Sequence, residues 1–271
     1  MSAAQHWSDW ERALGEGGLV SYRYVGCSSR ATSAFTAEGG YRLRPDLRTA
    51  DGALMVAPLG IAMLDTAGIN VDALSVVAPT QIDLTVLDPR ADDVTHIAIR
   101  GRVVRQGRTQ MVTEAQMHDA ARPDRLLAYG TATWAVVGPC PDGYRYVDPG
   151  PGIADGPALP QLYEAFDAVR RPGGGYEVAG LSTRVGARSL HQGPIQVLLE
   201  TAGLDAAGPG VAAVHSTTSI VQRGATGPFV ATADVIGSNG DRRAIRAVLR
   251  DEGAGDRVVA LSFLTGHVRV R

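Results

Sequence analysis

One short pattern occurs twice in the 271 residues of this chain, and this repetition constrains the fold more than any other feature. Both recurrences have the same offset of 135 residues (174 − 39 and 199 − 64), with no gap between them. The matching pairs are Gly39-Gly40-Tyr41 with Gly174-Gly175-Tyr176, and Leu64-Asp65-Thr66-Ala67-Gly68 with Leu199-Glu200-Thr201-Ala202-Gly203. The period is far too long for a solenoid unit, so the sequence predicts a duplicated domain.

The chain length suits two domains of ordinary size. We place an N-terminal unit at residues 1–137 and a C-terminal unit at residues 157–271. Between them, residues 138–156 are rich in Pro, Gly and Asp and are typical of a linker. Duplication converts what would be a symmetric dimer into one chain, in which the two copies are able to specialise.

Composition excludes several classes of function. The net charge is −2, which provides no basic face for nucleic acid, and all 26 basic residues are arginine, which excludes chemistry based on lysine. Only two cysteines occur, so we expect a cytoplasmic protein without a disulfide framework. The histidines and cysteines lack metal-ligand spacing, and no apolar run is long enough to span a membrane, so neither a metal site nor a membrane is expected.

Two nearly all-apolar segments predict buried central helices, one in each copy. Pro58 to Gly68 and Pro194 to Gly203 each begin near a proline and end in Ala-Gly, as helix starts and stops often do. Short amphipathic helices are predicted before them, at Ser8 to Leu14 and Leu159 to Val169. Extended segments are predicted at Ser21 to Leu43 and Tyr176 to Arg184.

An antiparallel meander follows each central helix. The Asn239-Gly240 pair is a strong hairpin signal, and Gln106-Gly107 occupies the matching place. The predicted strands of the two copies are Gln81 to Leu87, Ile97 to Arg105, Arg108 to Met117 and Arg125 to Val137, then Ala212 to Val221, Phe229 to Ile236, Arg242 to Leu249 and Arg257 to Arg269.

This organisation resembles a tandem (double) hotdog, an α+β fold in which each unit is a long central helix wrapped by an antiparallel β-sheet. The residues around the helix starts are similar to those of acyl-CoA thioesterases of the phenylacetate-degradation type. That family has His-Gly-Gly at the helix start and an acid nine positions after the His. Here the second copy has His191-Gln192-Gly193 with Glu200, and the first copy has Val56-Ala57-Pro58 with Asp65.

The resemblance implies composite sites, because the central helices of hotdog dimers run antiparallel. A helix start offers free N–H groups and a partial positive charge to a developing oxyanion, and a carboxylate attacks or activates water. Gly193 and Glu200 lie too far apart along one helix to act on one carbonyl. One site would therefore join Asp65 to His191, Gln192 and Gly193.

The other predicted site would join Glu200 to Val56, Ala57 and Pro58. It looks degraded, because Pro58 lacks an N–H and Val56 lacks a polar side chain. Asp65 is accordingly the expected base or nucleophile. Polar residues about eighteen positions after each acid, Asp83 and Thr218, would bind the water. The alternatives for this role are Thr80, Gln81, Ser216 and Thr217. Of these, Thr217 joins Asp83 and Thr218 as a substrate-binding candidate.

The expected activity is hydrolysis of an acyl-CoA or acyl-carrier thioester, with coenzyme A as part of the substrate and no separate cofactor. A homodimer of double hotdogs is possible in such a fold. Two alternatives stay open on sequence alone. One is a hydratase or dehydratase acting on enoyl thioesters, and the other is a non-catalytic acyl-CoA-binding or ligand-binding module. Fold by itself does not choose among them.

Overall fold

A computed structural model of the chain describes residues 19–140, 142, 156 and 159–268. Within them the helices alternate with long strands, as the sequence predicts. The helices of the first half are α1 (Val20–Val25) and α2 (Val56–Leu74), and those of the second half are α3 (Leu162–Ala165) and α4 (Gln192–Ala207). None of these helices combines the length and the apolar character needed to cross a membrane.

Twelve antiparallel strands form one continuous sheet in this part of the chain, in the order β1-β2-β4-β5-β6-β3-β9-β12-β11-β10-β8-β7. The strands of the first half are β1 (Ser28–Ala31), β2 (Thr36–Arg42), β3 (Ser75–Val86), β4 (His96–Gln106), β5 (Gln110–Asp119) and β6 (Arg122–Pro139). The strands of the second half are β7 (Ala168–Arg170), β8 (Tyr176–Val178), β9 (Val211–Ile220), β10 (Phe229–Asn239), β11 (Arg242–Asp251) and β12 (Arg257–Val268).

The two halves meet where β3 pairs with β9, and the seam between them is at the centre of the sheet. Ile82 pairs with Thr218 across it, and Leu84 pairs with Ser216. Helix α2 packs on the strands of the first half, α4 packs on those of the second, and the two helices also contact each other. The seam therefore brings the two long helices, and the acid that each carries, close to the centre of the molecule.

The long helices are buried because almost every residue of their first turns is apolar. Helix α2 is buried at every position from Val56 to Val71, and α4 is buried at nearly every position from Gln192 to Gly203. A helix that is apolar on all sides needs packing partners on all sides. The sheet supplies one partner and the opposite helix supplies another.

Both central helices extend beyond the predicted ends, so the interpretation of the Ala-Gly pairs as helix stops was wrong. Gly68 and Gly203 lie within α2 and α4. A Cβ at Gly68 would lie 3.2 Å from Trp134, and one at Gly203 would lie 3.0 Å from the Leu264 Cδ1 atom. These glycines allow the helix to approach the sheet closely. A glycine in the sequence is compatible with either role, close packing or a helix end.

The predicted strands and meanders of both halves are confirmed with small changes at most ends, but β3 begins at Ser75, six residues before the predicted Gln81, and Arg269 of the last predicted strand lies outside the described residues. Turn residues Gly240 and Asp241 lie between the paired Asn239 and Arg242, so the predicted hairpin is present one residue further along. Gly240 has a φ of 57°, in the left-handed region that such turns require.

Three shorter predictions fare differently. The helix at Ser8 to Leu14 lies outside the described residues. The extended segment predicted from Ser21 begins instead with the helical turns of α1, while the helix predicted at Leu159 to Val169 is confined to α3. Val169 belongs to β7, which pairs with β8 at the edge of the sheet, and this pairing overrides the helical spacing of the local sequence.

Candidate active site

The Glu200 carboxylate lies at the start of α2, the helix of the opposite half. It accepts two hydrogen bonds of 2.7 Å, from the backbone N–H groups of Val56 and Ala57 to its two oxygens. Glu200 is only 2% exposed, although no arginine pairs with it among the described residues. Free N–H groups and the positive end of a 19-residue helix satisfy the buried carboxylate in place of a cation.

Burial raises the pKa of Glu200 from 4.5 to about 7. The hydrogen bonds from Ala57 and Val56 favour the ionised form and hold the pKa below the value that burial alone would give. A carboxyl group with a pKa close to neutral pH is well matched to general base catalysis, because it is substantially ionised and still a useful proton acceptor.

A cavity of about 10 Å³ borders the Glu200 carboxylate, enough for about one water molecule. Its walls come from both halves: Val56, Ala57, Ile82, Leu84, Gln196, Glu200, Ser216, Thr218 and Ser262. Three of these residues are hydroxyl-bearing and buried. The Thr218 hydroxyl donates to Ser262 Oγ at 3.0 Å, and Ser262 Oγ lies 3.1 Å from Ser216 Oγ. Such a cavity offers a water molecule several polar partners, which a dry apolar void lacks.

The equivalent positions of the first half are apolar, so the two sides of the seam have diverged. In the second half Thr218 pairs with Ser262, whereas in the first half Leu84 pairs with Gly130. A Cβ at Gly130 would lie 2.7 Å from the sulfur of Met63, which fills this space. The hydroxyl cluster is therefore a property of one half only.

The start of α4 is built differently, around the side chain of His191. The Nδ1 atom of His191 accepts a hydrogen bond from the Gly193 N–H at 3.5 Å, so Nδ1 carries no proton. The Ser21 hydroxyl, 2.8 Å from the same atom, is therefore also a donor to it. The Tyr22 ring meets the imidazole edge-to-face at a centroid distance of 5.3 Å. Burial lowers the pKa of His191 to about 3, which keeps the ring neutral at physiological pH.

Close packing explains the glycine of the predicted His-Gln-Gly motif. A Cβ at Gly193 would lie 2.1 Å from Ser21 Oγ, so α1 lies directly against the start of α4. Ser21 is completely buried at this contact. The His191 side chain acts as a helix cap here, which is the ordinary role of a polar side chain at this position.

Asp65, expected to face His191, Gln192 and Gly193, has a different hydrogen-bond partner. The Ser29 hydroxyl donates to Asp65 Oδ2 at 2.7 Å and lies 3.0 Å from the hydroxyl of Thr66. Among the described residues no hydrogen bond joins Asp65 to the amide of Gln192 or Gly193, and the Gly193 amide is directed at His191. Of the two predicted pairings of an acid with the opposite helix start, hydrogen bonds among the described residues form the one at Glu200, where the backbone amides of Val56 and Ala57 make the contact without polar side chains.

The water-binding residues predicted from spacing divide between two faces of the sheet. Thr218 lines the cavity, as does Ser216. Asp83 and Thr217 lie on the opposite face, where the Thr217 hydroxyl donates to Asp83 at 2.7 Å, so the structure does not bring them to the cavity beside Glu200 where the predicted water-binding role would place them. The repeat is offset by 135 residues at the acids but by 134 at the cavity, where Ser216 corresponds to Ile82. Because successive residues of a strand face opposite sides of the sheet, this difference of one residue puts the predicted Asp83 on the face away from the cavity.

Two polar cavity residues were not among the predicted site residues. Gln196 is an amide one turn after Gln192 and one turn before Glu200 in a mostly apolar stretch of α4, a signal comparable to that of Glu200 itself. Ser262 is one of two hydroxyl-bearing residues on β12, and nothing in the sequence distinguishes it before the register of β9 and β12 is known. In the part of the chain that the structure describes, no group of three potential ligands is placed to hold a metal ion.

Comparison with solved structures identifies the fold. The tesB protein of Mycobacterium avium subs paratuberculosis is similar over 95% of this chain and 100% of its own, with a TM-score of 0.63 at 10% identity. A hot dog fold protein from Alicyclobacillus acidocaldarius gives a TM-score of 0.62 at 11% identity, over 93% of this chain and 98% of its own.

An acyl-CoA thioesterase II from Mycobacterium marinum matches over 93% of this chain and 98% of its own, with a TM-score of 0.60 at 12% identity. No protein-family model matches the sequence, and neither does any curated protein. The chain therefore has a hotdog fold, and its structure resembles those of TesB-type acyl-CoA thioesterases.

Proposed function

We propose that this chain is a tandem pair of hotdog units that hydrolyses an acyl thioester at the seam, with Glu200 as the general base. One observation carries the proposal: a buried carboxylate held by the amides of the opposite helix borders a water-sized cavity with three hydroxyl groups. Buried ionisable groups with a strongly perturbed pKa that border such a cavity are typical of catalytic sites.

The chemistry begins with a water molecule in the cavity. Glu200 has used one lone pair on each oxygen for the amides of Val56 and Ala57, and its remaining lone pairs accept a hydrogen bond from water. As the water oxygen bonds to the thioester carbon, its proton passes to Glu200. The tetrahedral intermediate then breaks its C–S bond, the thiolate takes the proton back from Glu200, and a carboxylic acid and a thiol leave.

The developing oxyanion needs a hydrogen-bond donor, and the hydroxyl cluster provides one. Thr218 donates to Ser262, Ser262 Oγ lies 3.1 Å from Ser216 Oγ, and Ser216 Oγ lies 3.5 Å from the Thr218 hydroxyl, so rotation of the Ser216 hydroxyl toward the cavity would make it the donor. A preorganised donor in a buried site is worth more than the same donor in water, because it requires no reorganisation as charge develops. Cross-strand pairing of β9 with β12 fixes all three oxygens before substrate arrives.

The substrate class follows from the fold and from this chemistry together. We propose an acyl-CoA or acyl-carrier thioester, with coenzyme A as part of the substrate, because similar structures are named as acyl-CoA thioesterases. The proposed reaction consumes only water and the thioester, so it calls for no separate cofactor.

A thiol-release assay tests the proposal with a panel of acetyl-, octanoyl-, lauroyl- and benzoyl-CoA. We expect Glu200→Gln to lose about 10²- to 10⁴-fold in kcat, the usual contribution of a general base. Asp65→Asn serves as the matched control, since its carboxylate is bonded to Ser29 and lies outside the hydroxyl cluster. It should retain most of the wild-type kcat. Equal losses in both variants would contradict a single site at Glu200.

The same assay, with an enoyl-CoA added to the panel, separates the alternative functions. Binding of acyl-CoA without thiol release would identify a non-catalytic module. Loss of the conjugated double bond of an enoyl-CoA, again without thiol release, would identify a hydratase.

A further inference from the structure

Gln196 lies one turn before Glu200 on α4 and lines the same cavity. It is 7% exposed, so its amide is buried among the two central helices. A buried amide requires hydrogen-bond partners for its donor and its acceptor, and the identity of those partners fixes which atom points where.

The donor of Gln196 is already committed. Its Nε2 atom donates to the backbone carbonyl of Gln192 at 3.4 Å and also to the side-chain oxygen of Gln192. A backbone carbonyl is only ever an acceptor, so the Gln196 atom beside it must be the NH₂ group. The Nε2 atom of Gln192 donates in turn to the Tyr22 hydroxyl at 3.5 Å. This chain leads away from Glu200, so the Gln196 oxygen is directed to the other side.

The Gln196 oxygen lies over Gly60, one turn into α2. A Cβ at Gly60 would lie 2.0 Å from Oε1 of Gln196, so any other residue at this position would displace the amide. Val56 and Ala57, the residues that hold Glu200, lie one turn earlier on the same helix. The absence of a side chain at Gly60 therefore leaves room for Oε1 between the two helices, on a residue that lines the cavity.

We propose that Gln196 is a positioning residue, whose Oε1 accepts a hydrogen bond from the cavity water while Glu200 accepts the other. This inference rests on the hydrolysis proposed above and adds a residue to it. Two acceptors on adjacent turns of α4 fix both protons of one water and leave a lone pair on its oxygen for the thioester carbon. Gln196 has no polar counterpart in α2, where Ile61 occupies its place in the repeat and Asp65 occupies that of Glu200.

Kinetics of three variants test the role, with octanoyl-CoA as the probe. Gln196→Leu removes the acceptor at similar volume, and we expect kcat to fall roughly 10- to 100-fold with KM nearly unchanged, because misplacing a reacting atom by about 1 Å costs up to 10² in rate. Gln196→Glu keeps an acceptor oxygen and should recover part of kcat. Gly60→Ala displaces Oε1 and should resemble Gln196→Leu.

Gly68→Ala is the matched control, because it adds the same methyl group to the same helix against Trp134 at 3.2 Å. It should leave kcat near the wild-type value. A purely structural role for Gln196 predicts instead that the acceptor-retaining Glu variant is no better than Leu, and this result would overturn the proposal. Unchanged kcat in Gln196→Leu, with Glu200→Gln inactive, would overturn it while leaving the proposed function intact.

A high-resolution crystal structure gives a readout that needs no activity. The wild type should show one ordered water within hydrogen-bond distance of Glu200 and Oε1 of Gln196, and Gln196→Leu should lose it. A dry cavity in the wild type, or the same water in Gln196→Leu, would overturn the inference. If no thioester is hydrolysed and this water is nevertheless present, the proposed function fails and the positioning of water by Gln196 stands.

Discussion

Replacing Glu200 with Gln should change the pH dependence of stability by a magnitude that the site itself defines. In the unfolded chain Glu200 has its ordinary pKa of 4.5, whereas in the folded protein burial raises the pKa to about 7. Between these pH values the folded state binds a proton that the unfolded state lacks. The free energy of unfolding of the wild type therefore falls as pH rises through this window, and no further contribution from Glu200 is lost above it.

The size of the effect follows from the shift of the pKa. Each pKa unit is worth about 1.4 kcal/mol, so a rise from 4.5 to about 7 corresponds to about 3 kcal/mol of stability lost between acid and neutral pH. Glutamine, like the protonated acid, carries no charge, but its NH₂ group only donates and cannot accept the second of the two amide hydrogen bonds, which costs about 1–3 kcal/mol at every pH. Near pH 4 the variant should therefore be less stable than the wild type by about that amount, and by pH 8 the difference should have moved by about 3 kcal/mol in favour of the variant.

Urea denaturation at half-unit steps from pH 4 to pH 8.5 measures the difference directly. The difference in unfolding free energy between wild type and Glu200→Gln should change progressively up to about pH 7 and then stay constant. A difference that is constant over the whole range would refute the reasoning, because it would mean that the carboxyl group ionises alike in the folded and unfolded chains. Asp65→Asn is the control in the same experiment. Because it leaves Glu200 in place, it should keep the loss of stability between pH 4.5 and about 7 that Glu200→Gln removes.

Three further predictions concern other parts of the molecule. The pKa of His191 is lowered from 6.5 to about 3, so the wild type should lose stability as pH falls below 6.5, and His191→Asn, which keeps a capping side chain, should lose less in an acid titration followed by circular dichroism. Cys27 is fully buried, and burial raises the pKa of its thiol to about 12. In a Cys140→Ser background iodoacetamide should therefore label Cys27 only after unfolding, and rapid labelling of the native protein would contradict this. Asp251 accepts hydrogen bonds from three backbone amides, so Asp251→Asn should cost roughly 1–3 kcal/mol in unfolding free energy, whereas the exposed Asp256→Asn should change it by less than about 1 kcal/mol.

Local patterns in the sequence carry most of the fold. Apolar segments with a proline at the start predict α2 and α4, and the Asn239-Gly240 and Gln106-Gly107 turn signals mark hairpins of the two meanders. The errors occur where a long-range contact decides between two local readings. Gly68 looks like a helix stop, but it lies inside α2 because Trp134 packs there. Val169 has helical spacing, but β7 pairs with β8 and takes it into the sheet.

The candidate site shows the same division more sharply. Glu200 stands out in the sequence, because a lone carboxylate in an apolar helix needs a partner. From the sequence that partner is located only as far as the start of the opposite helix, and Asp65 is favoured over Glu200. The site at Glu200 looks degraded because Val56 has no polar side chain and Pro58 has no N–H, whereas the contact is made by the backbone amides of Val56 and Ala57, which every residue except proline supplies.

The sequence alone determined that this protein has two related halves, that each contains a buried helix with one acid, and that small polar residues follow on β9. These properties depend on neighbours in the chain. Tertiary structure decided that Ser216 and Thr218 face the helices, whereas Asp83 faces away, since a one-residue difference between the halves reverses the side of a strand. It also decided that Glu200, Gln196 and Ser262 share one cavity, because only the pairing of distant strands and the packing of two helices bring them together.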